Sequence, residues 1–270
     1  MSPLWTCPLC GEPLRPEGKA LQCPARHSFD YARERYVNLL ATHRRHSREP
    51  GDSREMIDAR RRVHGADVYR PLLEALVATL QPVLGVGDSL LDLGCGEGYY
   101  SHGVTTALPR VRLYGVDIAK PAVRLAAKAC PQGEFAVASA FDLPLPEASM
   151  QAIFSVFAPA SDAELLRLLK QGGYYLKVMP GADHLWELRQ LLYDAPRRHD
   201  RAQVDLAGFE SVAHRPVQFA LNLQGALLHD LVAMTPYAYG GQRENKARLL
   251  ELESLQVQAD FVLSLYRRGD

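Results

Sequence analysis

Three thiols and an imidazole stand close together near the start of this 270-residue chain: Cys7, Cys10, Cys23 and His27. Their spacing is C-x2-C, twelve intervening residues, then C-x3-H. Two close pairs joined by a short loop can close a tetrahedral cage, and thiolate with imidazole is the donor set of a borderline-soft ion such as zinc. With all four positions filled by protein, such an ion is structural and leaves no site for a reactive water.

A second constellation is Leu91-Asp92-Leu93-Gly94-Cys95-Gly96-Glu97-Gly98. Gly94, Gly96 and Gly98 alternate directly after an apolar run, so loop backbone can approach a ligand while the next helix N-terminus orients the ligand's polar end. A nicotinamide fingerprint would need glycine at position 99, where this chain has Tyr99. Asp92 disfavours a pyrophosphate as well, whereas S-adenosylmethionine, an ammonium-bearing sulfonium, tolerates a neighbouring carboxylate. Asp117 follows at the end of the next apolar run, where an acid can accept both ribose hydroxyls. Ser139 stands where an acid often meets the adenine amino group; Asp142 is the alternative, unless it caps the turn before Leu143-Pro144. Tyr69 is either a ring covering the donor or an ordinary interface tyrosine, and His184 either a ligand contact or a helix-start surface residue.

The elements that must hold these groups alternate between apolar runs and helical spacing. Residues 89–93, 112–116, 135–138, 150–157 and 174–179 read as strands; 99–108, 121–130 and 163–170 read as helices. Val68 to Leu80 has helical spacing and stops at Pro82, and Ser53 suggests a helix start. This alternation predicts an α/β fold, a class I (Rossmann-like) methyltransferase sheet covered by helices on both faces. A helix over 184–193, strands over 217–223 and 260–265 and a helix near 226–233 suit a closing hairpin.

Residues 1–35 read as a zinc-binding module too short for a core of its own, 36–67 as a basic linker, and 68–270 as the methyltransferase domain. Chelation is therefore expected to unfold the module and leave donor binding measurable. Between Arg33 and Arg62 lie nine arginines and no lysine, against Glu34, Glu49, Asp52, Glu55 and Asp58. That local surplus of positive charge suits phosphate, although the whole chain balances 31 basic against 31 acidic residues. No apolar run approaches the roughly 20 residues that span a bilayer, and the N-terminus lacks the regions of a secretory signal, so a cytoplasmic location is expected. The cysteines fit that compartment as metal ligands, with Cys130 an inert core residue.

Several strings join the zinc spacing and the glycine loop: Tyr36-Val37-Asn38-Leu39-Leu40, Arg48-Glu49-Pro50-Gly51-Asp52-Ser53, Pro180-Gly181-Ala182-Asp183-His184-Leu185 and Met234-Thr235-Pro236-Tyr237. Together they resemble the RlmA family of bacterial 23S ribosomal RNA guanine-N1 methyltransferases, nearly end to end. The resemblance implies methylation of a guanine in the hairpin 35 region, one zinc, S-adenosylmethionine as donor, 23S ribosomal RNA as partner and a homodimer. It places Cys7, Cys10, Cys23 and His27 on zinc, and Tyr69, Gly96, Glu97 and His184 on the donor. Where relatives have tryptophan after the Met-Thr-Pro string, this chain has Tyr239, a smaller stacking surface.

Methyl transfer needs the nucleophile held in line, and guanine N1 must shed its proton. Phe157-Ala158-Pro159-Ala160 offers no polar side chain, so the sequence names no general base; the carbonyl near Ala158 and His184 are the candidates. Phe157 or a tyrosine can stack on an extruded base. In this reading the zinc module and the arginines, Arg44, Arg45 and Arg48 among them, grip RNA. The alternative is a methyltransferase of small metabolites or quinones, which needs neither feature; a non-catalytic binding protein would not need the intact donor loop.

Overall fold

The computed structural model describes residues 3–40, 51–199, 205–238 and 243–269. Arg44, Arg45, Arg48 and Tyr239 lie outside the described residues. A small antiparallel ribbon opens the fold: β1 (Arg15–Glu17), β2 (Ala20–Gln22) and β3 (Ser28–Asp30). Strand β4 (Tyr36–Asn38) and helices α1 (Arg54–Gly65) and α2 (Arg70–Leu80) follow. Ser53 caps α1, its hydroxyl accepting the Met56 N–H at 3.2 Å.

Strand and helix then alternate through β5 (Ser89–Leu93), α3 (Tyr99–Ala107), β6 (Arg112–Asp117), α4 (Lys120–Ala129), β7 (Glu134–Val137), β8 (Met150–Val156), α5 (Asp162–Leu168), β9 (Leu169–Pro180) and α6 (Trp186–Leu192). The last elements are β10 (Phe209–Gln224), α7 (Ala226–Ala233), α8 (Arg243–Leu250) and β11 (Ser254–Arg268). Eight strands form one sheet in the order β10-β11-β9-β8-β5-β6-β7-β4. Strand β5 is parallel to β6 on one side and β8 on the other, so the strand order reverses there. Connections leave in opposite directions at that point, and a crevice opens at the carboxyl ends of β5 and β8.

Every residue of β5 is buried, because both faces of the sheet are covered. On one face Leu90 and Phe154 pack with Leu72 and Leu76 of α2, Val104 of α3 and Val123 of α4. The other face is shared between a helix and the N-terminal ribbon, with Leu165 and Leu168 of α5 packed there. There Leu91, Leu93, Tyr114 and Val116 share a core with Trp5, Leu14, Leu21 and Cys23 of the N-terminal ribbon. Trp5 meets Tyr114 edge-on at 5.5 Å, and the Thr6 N–H donates to the Pro144 carbonyl at 2.9 Å. The ribbon and α5 together close this face of the sheet.

Two further stretches differ from expectation. The 36–67 segment does more than connect: β4 pairs in parallel with β7, and α1 packs on α7, where Arg62 makes a two-pronged bond to Asp230, 2.7 Å on each side. The closing strands are also longer than their alternating cores, running 209–224 and 254–268. Glu210 to Pro216 of β10 are exposed on both faces at the sheet edge, so no apolar alternation marks them. Both closing strands are antiparallel, with β11 pairing β9.

Candidate active site and metal centre

The carboxyl end of β5 turns sharply because Gly94 and Cys95 both donate their N–H to the Val116 carbonyl, each at 2.9 Å. Gly94 has φ +80°, and a Cβ there would lie 2.3 Å from that of Ala158 just beyond β8. Only a bare backbone lets the loop pass that close. The Gly96 N–H donates to one Asp117 oxygen at 3.0 Å, and the Ala119 N–H to the other at 2.8 Å. Burial raises the Asp117 carboxyl above its ordinary range against the pull of these two bonds.

Gly94, Gly96, Glu97 and Asp117 border a cavity of about 790 Å³, and Tyr69, Ser139 and His184 border it too. That volume falls within the roughly 300–1,000 Å³ of small-molecule sites. Asp92 and Gly98 stand behind the wall. Asp92 is 3% exposed and accepts the Ser101 hydroxyl of α3 at 2.6 Å. Burial first, then the charges of Asp117 and Glu97, push its carboxyl up to about 7 despite that bond. Gly98, at φ +91°, caps α3 where a Cβ would strike the Ala126 backbone at 2.6 Å, so it sets the approach of α3 to α4.

Glu97 is buried against an ion-pair partner, the His64 ring of α1. Burial works to raise the Glu97 carboxyl, yet the bond and charge of His64 prevail and hold it below its usual range. Tyr99 stacks on that ring at 4.4 Å. Arg60, one turn earlier, bonds Asp52 and also donates to the Met234 carbonyl at 3.5 Å. Tyr69, 2% exposed, presents its edge to Phe261 at 5.5 Å; burial holds its phenol protonated well above the ordinary range. Ser139 bonds the Phe141 N–H at 3.2 Å, and Asp142 closes the same turn rather than bordering the cavity.

The opposite end of the cavity is aromatic. Phe157, with φ +56° and 44% exposed, lies 5.7 Å from both the His184 and Phe261 rings. Such a φ is costly for a bulky side chain. His184 accepts the Asp260 N–H on Nδ1 at 3.3 Å, which leaves its proton on Nε2. Burial, then the neighbouring His199, lower its pKa to about 3. A ring held in that tautomer is a donor at Nε2, so it does not serve as the proton acceptor considered above.

Cys7, Cys10, Cys23 and His27 bring their donor atoms within 4.8 Å of one another. Cys10 and Cys23 sulfurs are 3.7 Å apart, and the His27 Nδ1 lies 3.5 Å from the Cys7 sulfur and 3.4 Å from that of Cys23. Bond lengths of about 2.3 Å to sulfur and about 2.0 Å to nitrogen in a tetrahedron require edges of roughly 3.8 and 3.5 Å. The donor set and its spacing fit a zinc ion, and the ribbon carries one as a structural centre.

Sequence reasoning missed Asp52, Arg60, His64, His199 and Tyr237, all of which border the cavity. The first three sit in the segment read as linker, where only Ser53 signalled a helix; His199 lies on the irregular connection after α6, and Tyr237 in a single 3-10 turn (Pro236–Ala238) after α7.

Comparisons with known proteins agree with this geometry. The family model described as RlmA, N-terminal, matches residues 5–48, and a methyltransferase-domain model matches 90–173. The 23S rRNA (guanine(748)-N(1))-methyltransferase of Streptomyces fradiae is 36% identical over 249 residues, 90% of this chain and 88% of the relative. A Bacillus subtilis protein named as a candidate 23S rRNA (guanine-N(1)-)-methyltransferase is 33% identical over 95% of this chain and 94% of its own. Among solved structures, a Bacillus halodurans protein named as a candidate methyltransferase covers 72% of this chain and 99% of its own with a TM-score of 0.50 at 15% identity, a likeness of fold. Zinc ribbon, donor loop and similarity across both modules converge: the chain belongs to the RlmA family of 23S ribosomal RNA guanine-N1 methyltransferases.

Proposed function

We propose that this protein transfers the methyl group of S-adenosylmethionine to N1 of a guanine in 23S ribosomal RNA, in the hairpin 35 region. The observation that carries the reading is one cavity at the sheet's switch point, with a glycine loop and Asp117 at one end and a strained aromatic wall at the other. The donor supplies an electrophilic methyl carbon on a sulfonium that needs little activation. A carboxylate has about four acceptor sites. Asp117 uses two on Gly96 and Ala119, and the rest suit a ribose diol. Glu97, kept ionised by His64, suits the donor's ammonium, and Arg60 its carboxylate. Tyr69, Gly94, Gly96, Ser139 and His184 complete the wall, while Asp92 and Gly98 act by seating α3 behind it.

Phe157 is the stacking surface for an extruded guanine. The ribbon abuts the 139–145 loop, whose Phe141 borders the cavity at 62% exposure, so an RNA held by the ribbon has a short path to the reacting end. A small-metabolite acceptor explains neither the ribbon nor the similarity across both modules. No described helix is long and apolar enough to cross a membrane, and we place the enzyme in the cytoplasm with the ribosomal RNA. A homodimer would show in light scattering as twice the 30.0 kDa chain mass.

Primer extension on 23S ribosomal RNA from cells with and without the protein tests the function. Methylation at N1 blocks base pairing and stops reverse transcriptase, so one stop in hairpin 35 vanishes when the protein is absent. Identical stop patterns in both samples would overturn the proposal.

A further inference from the structure

A second cavity, of about 450 Å³, adjoins the first at the carboxyl ends of β8 and β9. Phe157, Ala158, Pro159 and Met179 border both, so one short stretch of chain divides them. Alternate side chains of a strand share a face, and Tyr175, Lys177 and Met179 of β9 all border this second cavity. Its floor is apolar: Leu165 of α5, Tyr175 and Leu206 belong to the core that the N-terminal ribbon shares. Ser155, opposite Lys177 in the β8–β9 pairing, lies 2.8 Å from the Tyr175 hydroxyl and fixes that ring. Two charged side chains complete the lining, Lys177 and the exposed Asp162. Lys177 is half-buried over the apolar floor, and among the described residues no carboxylate pairs with its ammonium.

We propose that this second cavity receives the base of the nucleotide next to the target guanine, with Lys177 donating to that base and Asp162 accepting from it. The proposal rests on the ribosomal RNA reading above. A strand that delivers its guanine to the larger cavity must pass the smaller one, because the two share the Phe157–Pro159 wall. The smaller cavity also stands over the core that the ribbon helps to build, on the side where the ribbon would hold RNA. A nucleobase has an apolar face and, at its edge, both acceptors and donors. That matches an apolar floor lined by one cation and one anion. A backbone phosphate carries acceptors alone, and Asp162 would repel it. Phe157, strained, 44% exposed and bordering both cavities, then stands between the two bases. Recognition of RNA sequence depends on such splayed, stacked bases. Lys177 and Asp162 are therefore specificity residues for the neighbouring nucleotide.

The test measures binding of the full chain to three synthetic hairpin 35 RNAs by fluorescence anisotropy. One has the natural sequence; the other two lack the base of the nucleotide just before or just after the methylated guanine. One base-free RNA should bind wild-type protein about 10-fold more weakly than the natural RNA, within the worth of one stacked base. Lys177→Met keeps the aliphatic stem and loses the charge, and should weaken binding of the natural RNA by about 10-fold. The two losses should not add, so the variant should tell the natural RNA from that base-free one by less than about threefold. Its donor affinity by calorimetry should match wild type, which separates a lost contact from a lost fold. Should Lys177→Met fail to bind donor, Asp162→Asn at its exposed position carries the same comparison. A variant that keeps the full discrimination, or wild-type protein indifferent to the loss of either base, overturns the proposal alone. So does a Lys177→Met variant that weakens all three RNAs equally and lowers the salt slope by about one, which would put the lysine on a phosphate. Wild-type protein that methylates no guanine of the natural hairpin overturns the functional reading and this one with it.

Discussion

Asp92 stores a penalty that can be read out by pH. Its carboxylate is 3% exposed, and burial, then Asp117 and Glu97, push its pKa from 3.8 to about 7. A folded-state pKa above the unfolded one means the folded chain binds the proton more tightly. The associated stability is therefore complete below the unfolded value and is lost as pH climbs to about 7. Each unit is worth about 1.4 kcal/mol, so the full penalty is on the order of 4 kcal/mol, of which about 3 falls above roughly pH 5. Asp92→Asn keeps an oxygen for the Ser101 hydroxyl and carries no charge to desolvate. In urea titrations the variant should gain on wild type by about 3 kcal/mol between about pH 5 and about pH 8, with no further gain above. A difference that stays constant across that window would refute the assignment of Asp92 as a buried, reluctant anion.

Three other outcomes follow from the geometry. Asp117→Asn should weaken donor binding by about 10- to 100-fold by calorimetry, the worth of hydrogen bonds to a charged acceptor; unchanged affinity would remove Asp117 from the ribose. Chelation, or Cys23→Ser, should lower the melting temperature of the whole chain as well as the ribbon, because Trp5, Leu14 and Leu21 share a core with β5 and β6. A zinc-free protein melting with wild-type methyltransferase stability would contradict that, and the shared core extends the expected effect of metal loss beyond the N-terminal module. Replacing Arg44, Arg45 and Arg48 by alanine should weaken RNA binding and flatten its dependence on salt; an unchanged slope argues that the grip lies elsewhere.

The parts legible in the sequence were those whose chemistry is local. The cysteine pairs, the alternating glycines and Asp117 are each tied to a neighbour in the chain or to the next strand, and β5 through β9 announce themselves by apolar runs. What could not be read depends on distant partners. Strand β4 is three residues long and becomes a strand by pairing with β7, about a hundred positions on. His64 reads as one more polar residue on a basic helix until Glu97 is folded against it. Asp92 and Gly98 looked like ligand contacts because they flank the loop, but one faces Ser101 and the other Ala126, and pattern alone does not tell which way a loop residue points. His199 has no regular element to place it and is legible only through Tyr237.

The ribbon's seat on the sheet also bears on how the molecule is made. Thr6 reaches its partner at Pro144 only after the intervening chain has left the ribosome. At translation speeds of about 5–20 residues per second, that interval is roughly 7–30 s. Throughout it Trp5, Leu14 and Leu21 have no sheet to bury them. An ion clasped early by the four ligands would hold the nascent segment in shape while it waits, so metal supplied during synthesis is expected to raise the yield of folded protein over metal added afterwards.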